Sequence, residues 1–109
     1  MDVAWIAACK VDEIKLGSVK QWNHQGQVIA IYRTAEDQFY ATDGLCTHFQ
    51  VPLAGGVVIG NLIECPKHAG RFDVTTGKPR GGPVCVSLKT FPVKVEHGEV
   101  FVQVADNPT

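Results

Sequence analysis

Two cysteine–histidine pairs in the middle of the chain carry the residue types that bind transition metals. One residue separates Cys46 from His48. After sixteen intervening residues come Cys65 and His68, with two residues between them. Tetrahedral iron and zinc both accept two thiolates and two imidazoles, so ligand type alone leaves the metal open. Zinc modules usually place two cysteines on one loop and two histidines on the other. The alternating order instead suits a two-iron cluster in which one iron takes both cysteines and the other takes both histidines.

The other cysteines and histidines show no comparable pattern. The chain has 109 residues with four Cys, four His and a hydrophobic share of 45%, which is enough for a core that needs no disulfides. Metal or redox chemistry is therefore the better explanation for the two pairs. We expect Cys9 and Cys85 to be small core residues, because free cysteine is often buried. We expect His24 and His97 to be solvated residues at turns, with no role in the site.

The composition excludes several classes of protein. Ten Lys and Arg against eleven Asp and Glu give a net charge of -1, which lacks the basic excess of a nucleic-acid binder. No stretch approaches the roughly 20 apolar residues that span a bilayer, and the apolar segment 3–8 is too short for a secretory signal. The sequence predicts a monomeric, cytoplasmic, single domain over residues 1–109, with no nucleic-acid or membrane partner.

The sequence predicts mostly short strands and no long amphipathic helix. Eleven Gly and six Pro punctuate the sequence in the manner of an all-β fold. Outside the Cys/His region the predicted strands are 5–9, 19–22, 28–32 and 38–42, with one helical turn within 10–16 and a hairpin turn at Gln25-Gly26.

Alternating valines predict a hairpin near the C-terminal end of the chain, with its turn at His97-Gly98. The expected cross-strand pairs are Glu96 with Glu99, Val95 with Val100, Val93 with Val102 and Phe91 with Val104. The apolar pairs then share one face of the ribbon. Pro92 has no backbone N–H, so this strand needs an open edge or a bulge there.

Glycines become frequent, and the predicted strands become shorter, between about residues 44 and 85. Seven glycines between 55 and 82 interrupt short predicted strands at 57–59, 62–64 and 72–74. So many glycines imply backbone conformations or close approaches that other residues do not permit. The whole Cys/His pattern lies here. We therefore expect a cluster-binding sub-domain at about 44–85, inserted into a basal antiparallel β-sandwich formed by 1–43 and 86–109.

Together these features resemble the Rieske family, in particular the small Rieske-type ferredoxins. The resemblance rests on Cys46-Thr47-His48 and on the segment 65–73, Cys-Pro-Lys-His-Ala-Gly-Arg-Phe-Asp, with support from Gly77 and Gly82-Pro83. It implies a Rieske-like antiparallel β-sandwich that binds one [2Fe-2S] cluster. Cys46 and Cys65 would hold the inner iron, and His48 and His68 would hold the outer iron.

The resemblance also implies a soluble one-electron carrier with a low-potential cluster and no catalytic residues. The carrier would pass electrons from a flavin-containing ferredoxin reductase to a terminal Rieske oxygenase in the catabolism of aromatic or other small organic compounds. A chain of 109 residues leaves no room for the separate mononuclear iron domain of an oxygenase, so we expect no substrate conversion by this chain. Two alternatives stay open: a ferredoxin-like subunit of another reductase, and a structural Cys2His2 zinc module without a redox role.

Residues beside the ligands are candidates for supporting the cluster or for docking a redox partner. They are Phe49, Val51, Pro52, Lys67, Ala69, Gly70, Phe72 and Pro83. The apolar run that begins at Phe49 would shield the cluster, form a docking surface, or do both, and Pro83 would close the opposite side.

Charge is distributed unevenly between the two parts of the chain. Residues 44–85 carry four basic and two acidic side chains, a net charge of +2, whereas the remainder carries -3. We hypothesise that the basic end is steered toward an acidic patch on a partner.

The Rieske proteins of respiratory and photosynthetic complexes differ from this chain at four positions. They carry an extra cysteine in each cluster loop, and these two form a disulfide, whereas Val51 and Lys67 stand at the corresponding positions here. Their Ser and Tyr hydroxyls, which donate to the cluster sulfurs, are replaced by Gly70 and Phe72. Fewer hydrogen bonds to sulfur stabilise the reduced cluster less, which lowers the reduction potential.

We therefore predict a midpoint potential near the lower end of the range of about -150 to +300 mV found for Rieske centres. A redox titration of the holoprotein measures it. A midpoint above about +100 mV would contradict the interpretation of these four positions.

Overall fold

The structure, a computed structural model, describes residues 2–47, 50–67, 70–81 and 86–106. These ranges contain eleven strands, short 3-10 turns at Val11–Glu13 and Leu53–Gly55, and no α-helix. The strands are β1 (Asp2–Lys10), β2 (Ser18–His24), β3 (Gln27–Arg33), β4 (Phe39–Asp43), β5 (Val57–Ile59), β6 (Leu62–Glu64), β7 (Arg71–Asp73), β8 (Pro79–Gly81), β9 (Thr90–Phe91), β10 (Val93–Glu96) and β11 (Glu99–Asp106). Within the described ranges, no helix has the length and apolar character needed to cross a bilayer.

Three antiparallel sheets are built from these strands, which confirms the predicted all-β fold class. Their strand orders are β1-β11-β10, β2-β3-β4-β9 and β5-β6-β7-β8. The first two sheets lie in the segments predicted to form the base, 1–43 and 86–109. The third sheet lies inside the segment 44–85 for which a separate sub-domain was predicted, and that division of the chain remains a prediction.

Strand β3 contributes residues to both buried clusters of the molecule. Ile29 and Ile31 belong to a buried cluster with residues of the first sheet, whereas Ala30 and Tyr32 belong to a second buried cluster with residues of the third sheet. Because successive side chains of a strand point to opposite faces, β3 is apolar on both sides. Burial of each isoleucine side chain stabilises the folded state by about 1.5–3 kcal/mol relative to leaving it exposed.

The hairpin of β2 and β3 forms as predicted, around Gln25-Gly26. Both turn residues have positive φ angles, 51° and 80°, and the register runs from His24 opposite Gln27 to Ser18 opposite Arg33. Two consecutive positive φ angles are typical of the two-residue turn whose twist matches that of the flanking strands.

The C-terminal hairpin confirms three of the four predicted pairs, and the fourth is wrong. Phe91 pairs with Ala41 of β4 instead of Val104, so the chain changes sheets at Pro92. Proline cannot donate to the ladder, but its carbonyl accepts the N–H of Gln103 at 2.9 Å. The missing donor explains why the ribbon ends there.

Smaller corrections concern single residues and short strands. The predicted strand 72–74 is Arg71–Asp73, and β8 was not predicted, since its Pro and Gly weaken any strand signal. His24 is not a solvated turn residue: it lies in β2, stacks on Trp22 at 5.0 Å, and its buried Nε2 has no hydrogen-bond partner among the described residues. Cys9 is buried as predicted, and Cys85 lies outside the described residues.

Gly77 joins the third sheet to the segment that leads back to the base. Its carbonyl accepts the N–H of Leu88 at 2.8 Å, its φ angle is 79°, and an added Cβ would lie 2.1 Å from the Leu88 carbonyl oxygen. This position therefore excludes a side chain both by conformation and by space.

We predict that Gly77→Ala lowers the free energy of unfolding by on the order of 4 kcal/mol, because the backbones of Gly77 and Leu88 must separate. Gly60 is the matched control: its φ angle is 59°, but no atom lies within 4 Å of an added Cβ. Gly60→Ala should cost only about 1–2 kcal/mol. Urea unfolding of the two variants, followed by circular dichroism, tests the difference. Equal losses would contradict the close approach at Leu88.

Candidate metal centre

Two loops of the same construction present the cysteines. The N–H of Cys46 donates to the carbonyl of Val51, and the N–H of Cys65 donates to the carbonyl of Gly70, both at 2.8 Å. Each bond closes a six-residue loop on the carbonyl five positions further along the chain. Cys46 and Cys65 therefore occupy equivalent first positions in two loops, and Gln50 strengthens the first loop by donating its N–H to the Cys46 carbonyl.

Flanking elements fix the ends of both loops. The first loop follows β4 and ends at an isolated bridge between Leu45 and Pro52. The second loop connects β6 to β7, whose last pair before the loop is Glu64 opposite Arg71. The loops are thus held by backbone pairing on both sides, which suits rigid presentation of ligands.

The two thiols are buried, whereas part of each loop beyond them is exposed. Cys46 is 0% and Cys65 is 2% exposed, and both belong to one apolar cluster that includes Leu53, Phe72 and Tyr32. In contrast, Gln50, Pro66 and Lys67 are exposed. Each loop therefore runs from a dry interior toward solvent.

The histidines of the motif, His48 and His68, lie outside the described residues, as do Phe49, Ala69 and Pro83. The described ranges hold no group of three or more His, Cys, Asp or Glu side chains placed to bind a metal ion. Two buried cysteines at equivalent loop positions could supply the sulfur ligands of an iron–sulfur cluster or of zinc, so the described half of the predicted donor set fits a soft metal centre.

The other predicted site residues divide between core and surface. Val51 is half-buried against the cluster that contains the cysteines, Gly70 is buried, and Phe72 is 0% exposed. Pro52 and Lys67 are exposed. Gly70 and Phe72 thus support the second loop from inside, while Pro52 and Lys67 are available to a partner.

No sequence pattern marks a buried hydroxyl pair, Tyr32 and Thr42, whose tyrosine belongs to the apolar cluster that contains the two cysteines. The Tyr32 hydroxyl donates to Thr42 Oγ1 at 2.9 Å, and the Thr42 hydroxyl donates to the carbonyl of Asp43 at 2.8 Å. Burial raises the pKa of the Tyr32 phenol above its ordinary value, so the hydroxyl stays protonated. In the sequence, Tyr32 stands in the apolar run of β3 and looks like an ordinary core residue. No neighbouring residue indicates that Thr42 is its hydrogen-bond partner.

Ion pairs account for most of the charge on the third sheet. Arg71 pairs with Glu64 at 2.9 Å, and Arg80 pairs with Asp73 at 3.5 Å. No ion pair within the described ranges involves Lys67 or Lys78. The net charge of +2 predicted for this part of the chain therefore resides on these two lysines, of which Lys67 lies in the second cysteine loop.

Asp73 is held in its ionised form. Partial burial alone would raise the pKa of this carboxyl, but hydrogen bonds from the Thr75 hydroxyl and amide, together with the charge of Arg80, bring the pKa below its ordinary value. The carboxylate thus stays charged through the neutral range and keeps its partners.

Comparisons with known proteins agree with this geometry. A model of the Rieske [2Fe-2S] domain matches residues 4–92. The ferredoxin component of a naphthalene 1,2-dioxygenase system from Pseudomonas putida is 42% identical over 105 residues, which cover 96% of this chain and 100% of that protein.

Solved structures share the fold. A chain in the complex of reduced oxygenase and oxidized ferredoxin in carbazole 1,9a-dioxygenase has a TM-score of 0.84 and 41% identity, covering 89% of this chain and 99% of its own. The terminal oxygenase of carbazole 1,9a-dioxygenase from Nocardioides aromaticivorans IC177 also has a TM-score of 0.84, over 94% of this chain and 30% of its own, and its 23% identity shows the fold alone. From the matched length and identity, the chain belongs to the Rieske [2Fe-2S] domain family, whose cofactor is one [2Fe-2S] cluster.

Proposed function

We propose that this protein is the ferredoxin component of a ring-hydroxylating dioxygenase system that acts on aromatic compounds, a one-electron carrier and not a catalyst of substrate conversion. The observation that carries the proposal is the pair of equivalent loops, each with a buried cysteine at its start and an exposed continuation. Supporting it, relatives that match along nearly their full length are named as ferredoxin components of such systems.

In this proposal residues of about 44–85 form the cluster-binding unit, with Cys46 and Cys65 on the inner iron and His48 and His68 on the outer iron. When bound, the cluster accepts and releases one electron at a time. The chain supplies the rest: the loop hydrogen bonds orient the ligands, and the apolar cluster around Phe72 keeps water from the sulfur side.

Electrons would leave through the exposed ends of the two loops. Pro52 and Gly55 of the first loop region and Pro66 of the second are exposed, and an added Cβ on Gly55 would lie 3.6 Å from the Pro66 ring. These residues form an uncharged surface that adjoins Lys67. We propose that a redox partner docks here, with Phe49 and Pro83 contributing as the sequence predicts.

The partners in this proposal are a terminal oxygenase and a flavin-containing ferredoxin reductase, and the compartment is the cytoplasm. The oxygenase is supported by the solved carbazole 1,9a-dioxygenase complex that contains a related ferredoxin. The reductase is supported by the relatives' names, which describe components of multi-protein systems. The free, buried thiol of Cys9 suits a reducing compartment.

The ligand assignment predicts distinct effects of single substitutions. Cys46→Ser and Cys65→Ser should each abolish the visible absorption and the Rieske-type EPR signal of the reduced protein, because a hydroxyl is a poor substitute for a thiolate. Cys9→Ser, at a buried cysteine of β1, should keep both the absorption and the EPR signal.

His68→Cys should retain a cluster with a lower midpoint potential, since a thiolate ligand disfavours the reduced iron. An unchanged potential would contradict ligation by His68, and a colourless protein that contains zinc without acid-labile sulfide would favour the zinc module.

The carrier role predicts direct oxidation of the reduced protein by an oxygenase. Stopped-flow mixing with a set of terminal oxygenases of ring-hydroxylating systems should show rapid reoxidation by at least one of them. Failure with all of them, by a protein that holds an intact cluster, would contradict the oxygenase assignment.

The same assay tests steering by charge. Lys67→Gln should lower the association rate by about two- to five-fold at low ionic strength and weaken its salt dependence, because one unpaired charge leaves the docking surface. Lys78→Gln makes the same change of charge at the far end of β7 and should have less effect. Equal effects of the two variants, or a rate that salt does not change, would contradict steering at the loop.

A further inference from the structure

Residues 86–89, here called the strap, lead from the cluster region back to β9. The base holds one end of the strap through Asp43, whose N–H donates to the Lys89 carbonyl at 2.8 Å and whose Oδ2 accepts the Lys89 N–H at 3.0 Å. The strap is thus fixed to the end of β4, immediately before the first cysteine loop.

The third sheet holds the middle of the strap. Leu88 donates its N–H to the Gly77 carbonyl at 2.8 Å, and its side chain is 3% exposed within the apolar cluster that contains Cys46 and Cys65. With both of these attachments the strap is a fixed point against which a neighbouring loop can be positioned.

Thr47 connects the first cysteine loop to this fixed point. Its hydroxyl donates to the carbonyl of Val86 at 2.8 Å, across 39 residues of sequence. The Val86 side chain is 58% exposed, so Val86 contributes to the contact through its backbone and not through apolar burial. Among the described residues, one hydroxyl donor supplies the hydrogen bond between this loop and Val86.

We propose that Thr47 is a positioning residue: its hydrogen bond to the strap fixes the peptide between Cys46 and His48, and through it the orientation of the first loop's ligands. The proposal rests on the assignment of these two residues as ligands. Thr47 does not reach the metal in this role; it limits how far the loop can swing away from the body of the protein.

The test compares three holoprotein variants. Thr47→Val keeps the β-branched shape and removes the donor, whereas Thr47→Ser keeps the donor. Thr76→Val makes the same change at a threonine whose one hydrogen bond among the described residues is local, with its Oγ1 accepting the N–H of Lys78 at 3.3 Å. The measurements are the rate of cluster loss in excess chelator, followed by visible absorption, and the EPR g values of the reduced protein.

We expect Thr47→Val to lose its cluster about five-fold faster than the unmodified protein, the factor that one typical net hydrogen bond represents, and to show shifted g values. Thr47→Ser should restore both measurements, and Thr76→Val should change neither. Amide hydrogen exchange at Leu88 and Lys89 should stay slow in every variant, since Gly77 and Asp43 still hold the strap.

Three results would overturn the proposal: Thr47→Val behaving like Thr76→Val, Thr47→Ser failing as Thr47→Val does, or rapid exchange at Leu88 in Thr47→Val, which would indicate general loosening. A failure of the ligand assignment is recognised separately, because Cys46→Ser would then keep its cluster whatever Thr47 does.

Discussion

β3 has to be buried on both faces, and the arrangement of the molecule follows from that requirement. A strand of an ordinary two-sheet sandwich shows one face to solvent, but the isoleucines of β3 pack toward the first sheet while Ala30 and Tyr32 pack toward the third. The third sheet is small, with four strands of three residues each. Its apolar residues share one buried cluster with Ala30 and Tyr32 of β3. The two buried cysteines belong to the same cluster.

The cysteine loops combine two opposing demands. Sulfur ligands are best placed in a dry, hydrogen-bonded setting, whereas an electron carrier needs part of its centre within reach of a partner. The repeated hydrogen bond from the cysteine N–H to the carbonyl five residues later meets both demands, since it anchors the start of each loop in the core and directs its continuation outward. Loop 65–70 directly connects two paired strands, β6 and β7. Loop 46–51 is instead held by the Leu45–Pro52 bridge and by the long-range hydrogen bond from Thr47 to Val86.

Local features of this protein were predictable from its sequence, and non-local ones were not. The Gln25-Gly26 and His97-Gly98 turns and their registers follow from short-range alternation and turn chemistry. The pairing of Phe91 with Ala41 did not follow, because the change of sheet at Pro92 depends on a strand fifty residues earlier. Likewise, the hydroxyl of Thr47 has no visible partner in the sequence until the fold brings Val86 beside it. His24 was missed for a local reason, because it directly precedes the Gln25-Gly26 turn and was assigned to that turn, whereas it stacks on Trp22 two residues earlier in β2.

The pairing of β1 with β11 places the two ends of the described chain side by side, with Asp2 opposite Asp106, in a sheet that takes no part in the cysteine loops. A polypeptide can therefore enter and leave this unit on neighbouring strands of one sheet, away from the cysteine loops. Such a unit can be joined to other domains as a single insertion. The paired ends give a structural reason why the same fold serves as a small carrier and also occupies less than a third of a much longer terminal oxygenase chain.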